Sequence, residues 1–379
     1  MASTIDGIRT AIDIPTATEK MMSEGLTFRK AEKEDLPRIS GFRKALFEHN
    51  PSIKSHEPEY YEWKCYQNPI LPGEIWLAED GDMLVGMKSM IPKMIKILGK
   101  VLEAAETGDT FTHPNYQRRG IFTALFKDAR KCGLDSRIGF IYGTPNRKSL
   151  PGYEKKLDYA QVPIKLHGLL KPLHPKQLLK TKLHYSPLAS ILSPIVEIVS
   201  RAIFRIGVKG IARTGVFVYT EPAFPDDIDA LWEQVSKDYD IILTRTKSYL
   251  EWRYVTNPDT YSILIARDRE GIISGYMVIK SGFSENTPIG FICDYLTFEG
   301  DPNIFKTLLA VAVKELEGKK ASVIYTWAVK GNFYYKVLLR LGFFPSSQVP
   351  IVCYKNELGN KVLSRAYKWH FTMGDTDNI

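Results

Sequence analysis

The chain is written twice, and that repetition limits what it can fold into more than any other feature. Glu62-Trp63-Lys64 followed by Asn68-Pro69 recurs as Glu251-Trp252-Arg253 followed by Asn257-Pro258, with identical internal spacing. Leu77-Ala78-Glu79-Asp80, then Gly86, recurs as Ile265-Ala266-Arg267-Asp268, then Gly275. Asp109-Thr110-Phe111 answers to Asp294-Tyr295-Leu296, Ile141-Tyr142 to Ile324-Tyr325, and Leu157-Asp158-Tyr159 to Leu341-Gly342-Phe343. The order is preserved and the offset stays near one value, so each copy is one structural unit. A length of 379 residues suits two domains of ordinary size.

Each copy reads as the same mixed α/β plan. A short strand comes first, Leu26 to Arg29 or Val216 to Tyr219. A helix follows an acidic start, Glu34-Asp35 or Asp226-Asp227, where the helix dipole favours negative charge. The Glu-Trp segment is also read as helical and ends at Asn-Pro, because proline cannot continue a helix. A hairpin comes next, with Ile75 to Ala78 and Leu84 to Met90 joined through Gly81-Asp82, and Ile263 to Ala266 with Ile272 to Ile279 in the second copy. The expected fold class is α/β with mixed sheets in two tandem domains. The expected division is a loose leader over 1–25, a first domain over 26–165, a helical connecting segment over 166–214 and a second domain over 215–379.

The connecting segment has its own character. His174-Pro175, Ser186-Pro187 and Ser193-Pro194 punctuate it, and Leu188 to Ile206 is apolar apart from Glu197, Arg201 and Arg205. Two readings stand: a helix packed between the domains, or one lying at a membrane interface or over the site as a lid.

Composition narrows the partners. Lys and Arg number 51 against 43 Asp and Glu, a formal net charge of +8, which favours anionic ligands. The excess is dispersed, and no basic run is interleaved with aromatics, so no nucleic-acid partner is expected. Cys65, Cys132, Cys293 and Cys353 form no CxxC pair, and the histidines lack ligand spacing. No metal site or disulfide framework is therefore expected, and a reducing, cytoplasmic setting fits. No apolar run is long enough to span a bilayer, and the first 25 residues carry no signal sequence.

The chemistry concentrates between Asp109 and Lys131. Thr110, Phe111 and Thr112 end a strand, His113-Pro114-Asn115-Tyr116 turns, and Gln117-Arg118-Arg119-Gly120 leads into a helix. That helix places Ile121, Phe122, Leu125, Phe126 and Ala129 on one face, with Gly133 as its stop. Free N–H groups at a helix start, the dipole behind them, a glycine and two arginines make an anion site suited to a pyrophosphate. The loop lacks the Gly-Lys-Ser/Thr of a Walker A motif and the glycines of a dinucleotide fingerprint.

These residues resemble the GNAT acyltransferases, which carry Gln/Arg-x-x-Gly-x-Gly/Ala after a strand that often ends in a His-Pro turn. The chain matches with His113-Pro114 and Gln117-Arg118-Arg119-Gly120-Ile121-Phe122, departing at Phe122, where the family has a small residue. A second hallmark is a strand, an asparagine and a tyrosine seven residues on, matched by Ile138 to Tyr142, Asn146 and Tyr153. The family's closing Leu-Gly-Phe is here Leu157-Asp158-Tyr159, with one extra residue after the tyrosine. The resemblance covers most of 26–165 and reaches 215–356 through the repeat.

What the resemblance implies is an N-acyltransferase, most simply an N-acetyltransferase, moving an acyl group from acetyl-CoA or another acyl-CoA to a primary amine without a metal. The implied cofactor contacts are Thr110, Phe111, Thr112, Gln117, Arg118, Arg119, Gly120, Ile121, Phe122 and Asn146. Candidate bases are Glu106 and Asp109, and Tyr153 is the candidate acid for the leaving thiolate. Asp109 recurs as Asp294, which favours a structural role and leaves Glu106 the better base. His113 is read as structural or at the phosphate rim. Trp63 and Trp252, present in both copies, are read as anchors of a helix to the sheet. The second copy has Thr297-Phe298-Glu299-Gly300-Asp301-Pro302-Asn303 where the basic loop should be. Its carboxylates would repel a pyrophosphate and Pro302 lacks a donor, so this copy is expected to bind no coenzyme A. The expected acceptor is a small-molecule amine such as an amino sugar, and monomer and homodimer both stand. The rival readings are a non-catalytic acyl-CoA-binding module and a longer-chain acyltransferase at a membrane surface.

Overall fold

A computed structural model describes residues 25–47, 57–134, 137–174, 187–211, 215–284, 287–298 and 301–376. The leader expected over 1–25 lies outside them except for Gly25, as do Pro175, Ser186, Glu299 and Gly300.

The strands are β1 (Leu26–Lys30), β2 (Glu74–Asp80), β3 (Met83–Ile97), β4 (Lys100–Thr112), β5 (Phe140–Gly143), β6 (Tyr159–Gln161), β7 (Leu166–Pro172), β8 (Phe217–Glu221), β9 (Ile241–Leu243), β10 (Ser262–Arg267), β11 (Ile273–Ser284), β12 (Thr287–Thr297), β13 (Val323–Val329), β14 (Phe344–Val349), β15 (Val352–Tyr354) and β16 (Trp369–His370). The helices are α1 (Leu36–Phe47), α2 (Pro58–Tyr61, running on as a π turn over Glu62–Tyr66), α3 (Ile121–Cys132), α4 (Leu150–Lys156), α5 (Pro187–Gly207), α6 (Ile228–Val235), α7 (Lys247–Tyr254), α8 (Pro302–Gly318), α9 (Phe333–Arg340) and α10 (Glu357–Leu363).

Two mixed sheets carry the repeat. The first runs β1-β2-β3-β4-β5-β15-β6, and the second runs β8-β10-β11-β12-β13-β7-β14. Only β4·β5 and β12·β13 are parallel within these two series, the same step in each. Along each of these series six strands come from one half and one from the other, inserted at the same place. After β6 the chain crosses to lay β7 between β13 and β14. After β14 it crosses back to lay β15 between β5 and β6. So Leu166–Pro172, which a boundary at 165/166 leaves to the connecting segment, is an interior strand of the second sheet. A further link is made by β9, which pairs with the far end of β3 and with β16.

The hairpin expected around Gly81-Asp82 is present, with Gly81 at φ 56°, a turn conformation that glycine adopts without strain. The two Glu-Trp segments meet each other, and both tryptophans lie in one buried cluster with Ile75, Leu77, Met87 and Ile91 of the first sheet. Trp63 and Trp252 stack at 5.0 Å and 19°. The indole N–H of Trp63 donates to the carbonyl of Trp252 at 2.7 Å, and that of Trp252 donates to the carbonyl of Trp63 at 3.1 Å. The duplicated motif thus forms a reciprocal contact in which both buried indole N–H groups are satisfied.

Helix α5 packs through Ser193, Ser200 and Phe204, which are buried. Beneath it, the ammonium of Lys171 on β7 donates to the Ser200 carbonyl and hydroxyl and to the Leu341 carbonyl, each at 3.2 Å. The opposite face is apolar and exposed, with Ile195 54%, Ile198 67%, Val199 50% and Ile206 74% accessible. Among the described residues no helix is long and apolar enough to cross a membrane.

Candidate functional site

The site is built where β4 and β5 part. Their pairing runs from Ala104 opposite Phe140 to Glu106 opposite Tyr142, whereas β4 continues to Thr112. Over that continuation β4 stays paired with β3 on its other edge. A bulge interrupts the β3 ladder between Met87 and Ser89, and Asp109 within it has φ 36°. The result is an opening beside Thr110, Phe111 and Thr112.

Asp109 sits in this bulge with both carboxylate oxygens engaged. Arg43 of α1 donates to Oδ1 at 2.9 Å, and Lys64 of the Glu-Trp-Lys motif donates to Oδ2 at 2.7 Å. The Arg43 guanidinium also lies over the Phe111 ring at 4.9 Å, and its pKa stays raised against burial because of the Asp109 charge. Glu106 is one of the most deeply buried carboxyls, at 1% exposure, with the Lys93 ammonium 3.6 Å from Oε2. Lys93 in turn donates to the Tyr249 hydroxyl at 3.3 Å, linking the first site to the second half.

Beyond β4, His113 closes the turn by accepting from the Asn115 N–H at Nδ1 (3.3 Å). Gln117, Arg118 and Gly120 are exposed, and Arg118 and Gly120 have φ 65° and 79°. Gly120 is the N-cap of α3, and no side chain caps that end. A Cβ at Gly120 would meet nothing within 4 Å, so glycine is required there for the backbone conformation rather than for space. The first-turn N–H groups of α3 are therefore left without a side-chain cap, directly after two arginines in the chain. Arg119 lies over the Tyr116 ring at 4.7 Å, and Tyr116 donates to Asp80 at 2.7 Å, which ties the loop to the hairpin turn.

Ile121 begins α3 against β3, where a Cβ on Gly86 would come within 2.6 Å of its Cγ2. Phe122, out of line with the family pattern, is accommodated by Gly152 of α4, where a Cβ would meet the phenyl ring at 2.9 Å. Tyr153 is buried and packs edge-on against Phe122 (5.6 Å), Phe126 (5.4 Å) and Tyr159 (5.2 Å). Asn146 uses its Oδ1 to accept from the backbone of Lys148 and Ser149 at 2.9 and 3.0 Å, organising the loop into α4. The structure thus brings Glu106, Asp109, Thr110 to Thr112, Gln117 to Phe122 and Tyr153 to one end of the sheet.

Sequence reasoning missed Arg43, Lys64 and Lys93. The repeat singled out Lys64 beside Trp63, but nothing local marks Arg43 or Lys93 as partners of β4. Of the cysteines, Cys293 and Cys353 are buried and their thiols are pushed up to about 12 by burial. No cluster of metal-ligating side chains occurs among the described residues.

The corresponding end of the second sheet is closed. Asp301 caps α8, its Oδ1 accepting from the Asn303 N–H at 2.8 Å, with Pro302 next. The Tyr334 hydroxyl accepts from the Thr297 N–H at 2.9 Å and donates to its carbonyl at 3.0 Å. Asp294, at the place of Asp109, accepts from Arg245, Tyr276 and Thr372.

Residues 27–161 match the family model described as the acetyltransferase (GNAT) domain. No curated protein matches the chain by sequence. Solved structures with a similar fold include a probable N-acyltransferase from Enterococcus faecalis V583, at 12% identity and TM-score 0.59, covering 86% of this chain and 72% of that one. Saccharomyces cerevisiae N-myristoyltransferase with bound myristoyl-CoA is similar at 13% identity and TM-score 0.60, over 87% of this chain and 79% of the other. A tandem GNAT protein from the clavulanic acid biosynthesis pathway is similar at 15% identity and TM-score 0.59, over 86% and 98%.

Proposed function

Residues 27–161 are a GNAT acetyltransferase domain and the whole chain has the tandem GNAT fold; from that premise we propose an acyl-CoA-dependent N-acyltransferase with one working cofactor site. The observation that carries this reading is the uncapped start of α3, behind Arg118 and Arg119 and beside the gap between β4 and β5. The residues present fit a pyrophosphate: backbone N–H groups from Ile121 onward, with Gln117, Arg118 and Arg119 at the rim. The bound acyl-CoA supplies an activated thioester. Where β4 runs on past β5, alternate backbone N–H groups among Thr110, Phe111 and Thr112 turn to the opening, and they are the proposed donors that polarise an acyl carbonyl.

An attacking amine must lose a proton. Glu106, the last paired residue of β4 before the gap, is the proposed acceptor of that proton, directly or through water. Asp109 is assigned a structural role, because two cations, Arg43 and Lys64, hold both of its oxygens at 2.9 and 2.7 Å, whereas the ion pair of Glu106 with Lys93 is longer, at 3.6 Å. Tyr153 is proposed to protonate the leaving thiolate, its ring lying against Phe122 at the start of α3. Asn146 contributes by shaping the loop before α4. Acetyl-CoA is the first donor to try, and a small-molecule amine such as an amino sugar is the first acceptor.

The test is thiol release by the full chain from acetyl-CoA with a panel of amines. Amine-dependent release that falls with Glu106→Gln supports the reading. Tight acetyl-CoA binding with no release on any amine would favour a binding module instead. A longer-chain reaction at a membrane surface is the second reading, and the exposed face of Ile195, Ile198, Val199 and Ile206 on α5 favours it. Co-sedimentation with anionic liposomes, compared with Ile198→Ser/Ile206→Ser, tests it, and equal sedimentation of the two proteins counts against it.

A further inference from the structure

A cavity of about 660 Å³ lies in the second half, where β13 ends and α9 begins. Pro302 of α8 forms one wall, and Tyr367 to Trp369 form another. Through the repeat this is the place at which α3, β5 and α4 meet in the first half. Its side chains are of one sign. Lys165, Lys330, Lys336, Arg340 and Lys368 line it, and no Asp or Glu does among the described residues. None of Lys165, Lys330, Lys336 and Arg340 takes part in an ion pair among the described residues, and all four are exposed at the rim. The cations are held together by the fold. The Lys330 N–H donates to the Lys165 carbonyl at 2.8 Å, and Lys336 and Arg340 lie four residues apart on α9, on one helix face. The nearby His167 imidazole is held below its usual range by burial and then by the charges of Lys330 and Lys165. The floor is apolar, made by Val329, Val337 and Trp369, all buried.

We propose that this cavity binds a small phosphate-bearing molecule with an apolar or aromatic portion, of the size of a nucleoside diphosphate, independently of the acyl-CoA loop. Clustered ammonium and guanidinium donors match phosphate oxygens, and they lose their mutual repulsion when the anion enters. The volume falls within the roughly 300–1,000 Å³ of ordinary ligand pockets. The grip differs from that of the first half, because α8 is already capped by Asp301 and the charge comes from side chains alone. Val337 stands four residues before Leu341, as Tyr153 stands before Leu157, so no hydroxyl occupies the acid's place. The cavity is equipped to bind and not to transfer a proton at that position.

The probes are ADP, pyrophosphate and adenosine, titrated calorimetrically into the full chain carrying Arg118→Glu/Arg119→Glu, which removes the charge of the first loop. ADP and pyrophosphate are expected to bind at one site per chain, with adenosine weaker by about tenfold or more, the scale of one lost charge-assisted hydrogen bond. Adding Lys336→Glu/Arg340→Glu is expected to weaken ADP by about tenfold or more, and Lys336→Gln/Arg340→Gln by less. Both positions are solvent-exposed, and an unchanged thermal midpoint shows that the fold is kept. In the otherwise natural chain, Lys336→Glu/Arg340→Glu is expected to leave acetyl-CoA binding unchanged, because Tyr334 occupies the backbone at the end of β12 and closes it to the remainder of that larger ligand. ADP binding that is absent before these changes, or untouched by them, overturns the proposal. The two readings fail separately, since acetyl-CoA binding that survives Arg118→Glu/Arg119→Glu sinks the first-loop reading and leaves this one to its own titration.

Discussion

Helices α3 and α8 start at corresponding points of two similar sheets, yet their first turns carry opposite chemistry. At α3 the cap is Gly120 at φ 79°, no side chain closes the turn, and Arg118 and Arg119 stand in front. At α8 the cap is Asp301, its carboxylate already bonded to the first turn, with Pro302 removing one donor. Tyr334 then occupies the backbone of Thr297 at the end of β12, where the first half leaves its gap beside Thr112. The sheets needed none of these differences to fold. A duplicated scaffold can keep strand order and packing while a few residues decide whether a helix start receives a ligand or its own side chain.

The largest effect is expected from reversing the loop charges. Arg118→Glu/Arg119→Glu should weaken acetyl-CoA binding by about 100-fold or more, as for the loss of two charge-assisted contacts. Asp301→Asn in the second half should leave that affinity unchanged. Equal losses from the two would erase the distinction between the halves. Calorimetric titration measures both.

Next comes the shared aspartate. Asp109→Asn should cost about 3–5 kcal/mol of stability, because Arg43 and Lys64 would remain buried without their counter-charge. Asp294→Asn should cost less, about 1–3 kcal/mol, because Arg245 keeps Asp375 at 2.9 Å. Urea unfolding decides, and a reversed ranking would show that the two aspartates are not held as described.

A smaller effect sharpens the reading of Phe122. Gly152→Ala should destabilise by about 1–3 kcal/mol through the clash with its ring, and Phe122→Ala should relieve it. A simple sum of the two single effects, with no relief, would refute the packing account.

The smallest concerns the exchanged strand β7. Burial lowers the Lys171 pKa from 10.5 to about 8. Between these values the unfolded chain holds a proton that the folded chain has released, so stability should rise with pH across that window. Below about pH 8 both states are protonated, and the folded state bears the cost of a buried charge. Lys171→Met should remove the rise, and thermal midpoints from pH 7 to 10 give the slope.

Much of the fold is legible in the sequence because local signals specify it. Apolar segments on either side of Gly81-Asp82 placed the first hairpin, and the repeat located the halves. The strand exchange is not legible, since Leu166 to Pro172, broken by His167, Gly168 and Lys171, carries no strand pattern of its own and falls in the segment read as a helical connection. At the site, Gln117 to Gly120 could be read because a basic loop entering a helix has a local pattern. The partners of Asp109 could not, since Arg43 and Lys64 reach it only through tertiary packing. The fit of Phe122 depends on Gly152, thirty positions further along, which no local rule connects to it.

The central claim is that one chain holds one acyl-CoA, at the open start of α3. Calorimetric titration of acetyl-CoA into the full chain tests it most directly. The account expects one site per chain, lost with Arg118→Glu/Arg119→Glu and kept with Asp301→Asn. Two acetyl-CoA sites per chain, or one that survives the arginine reversal, would contradict it.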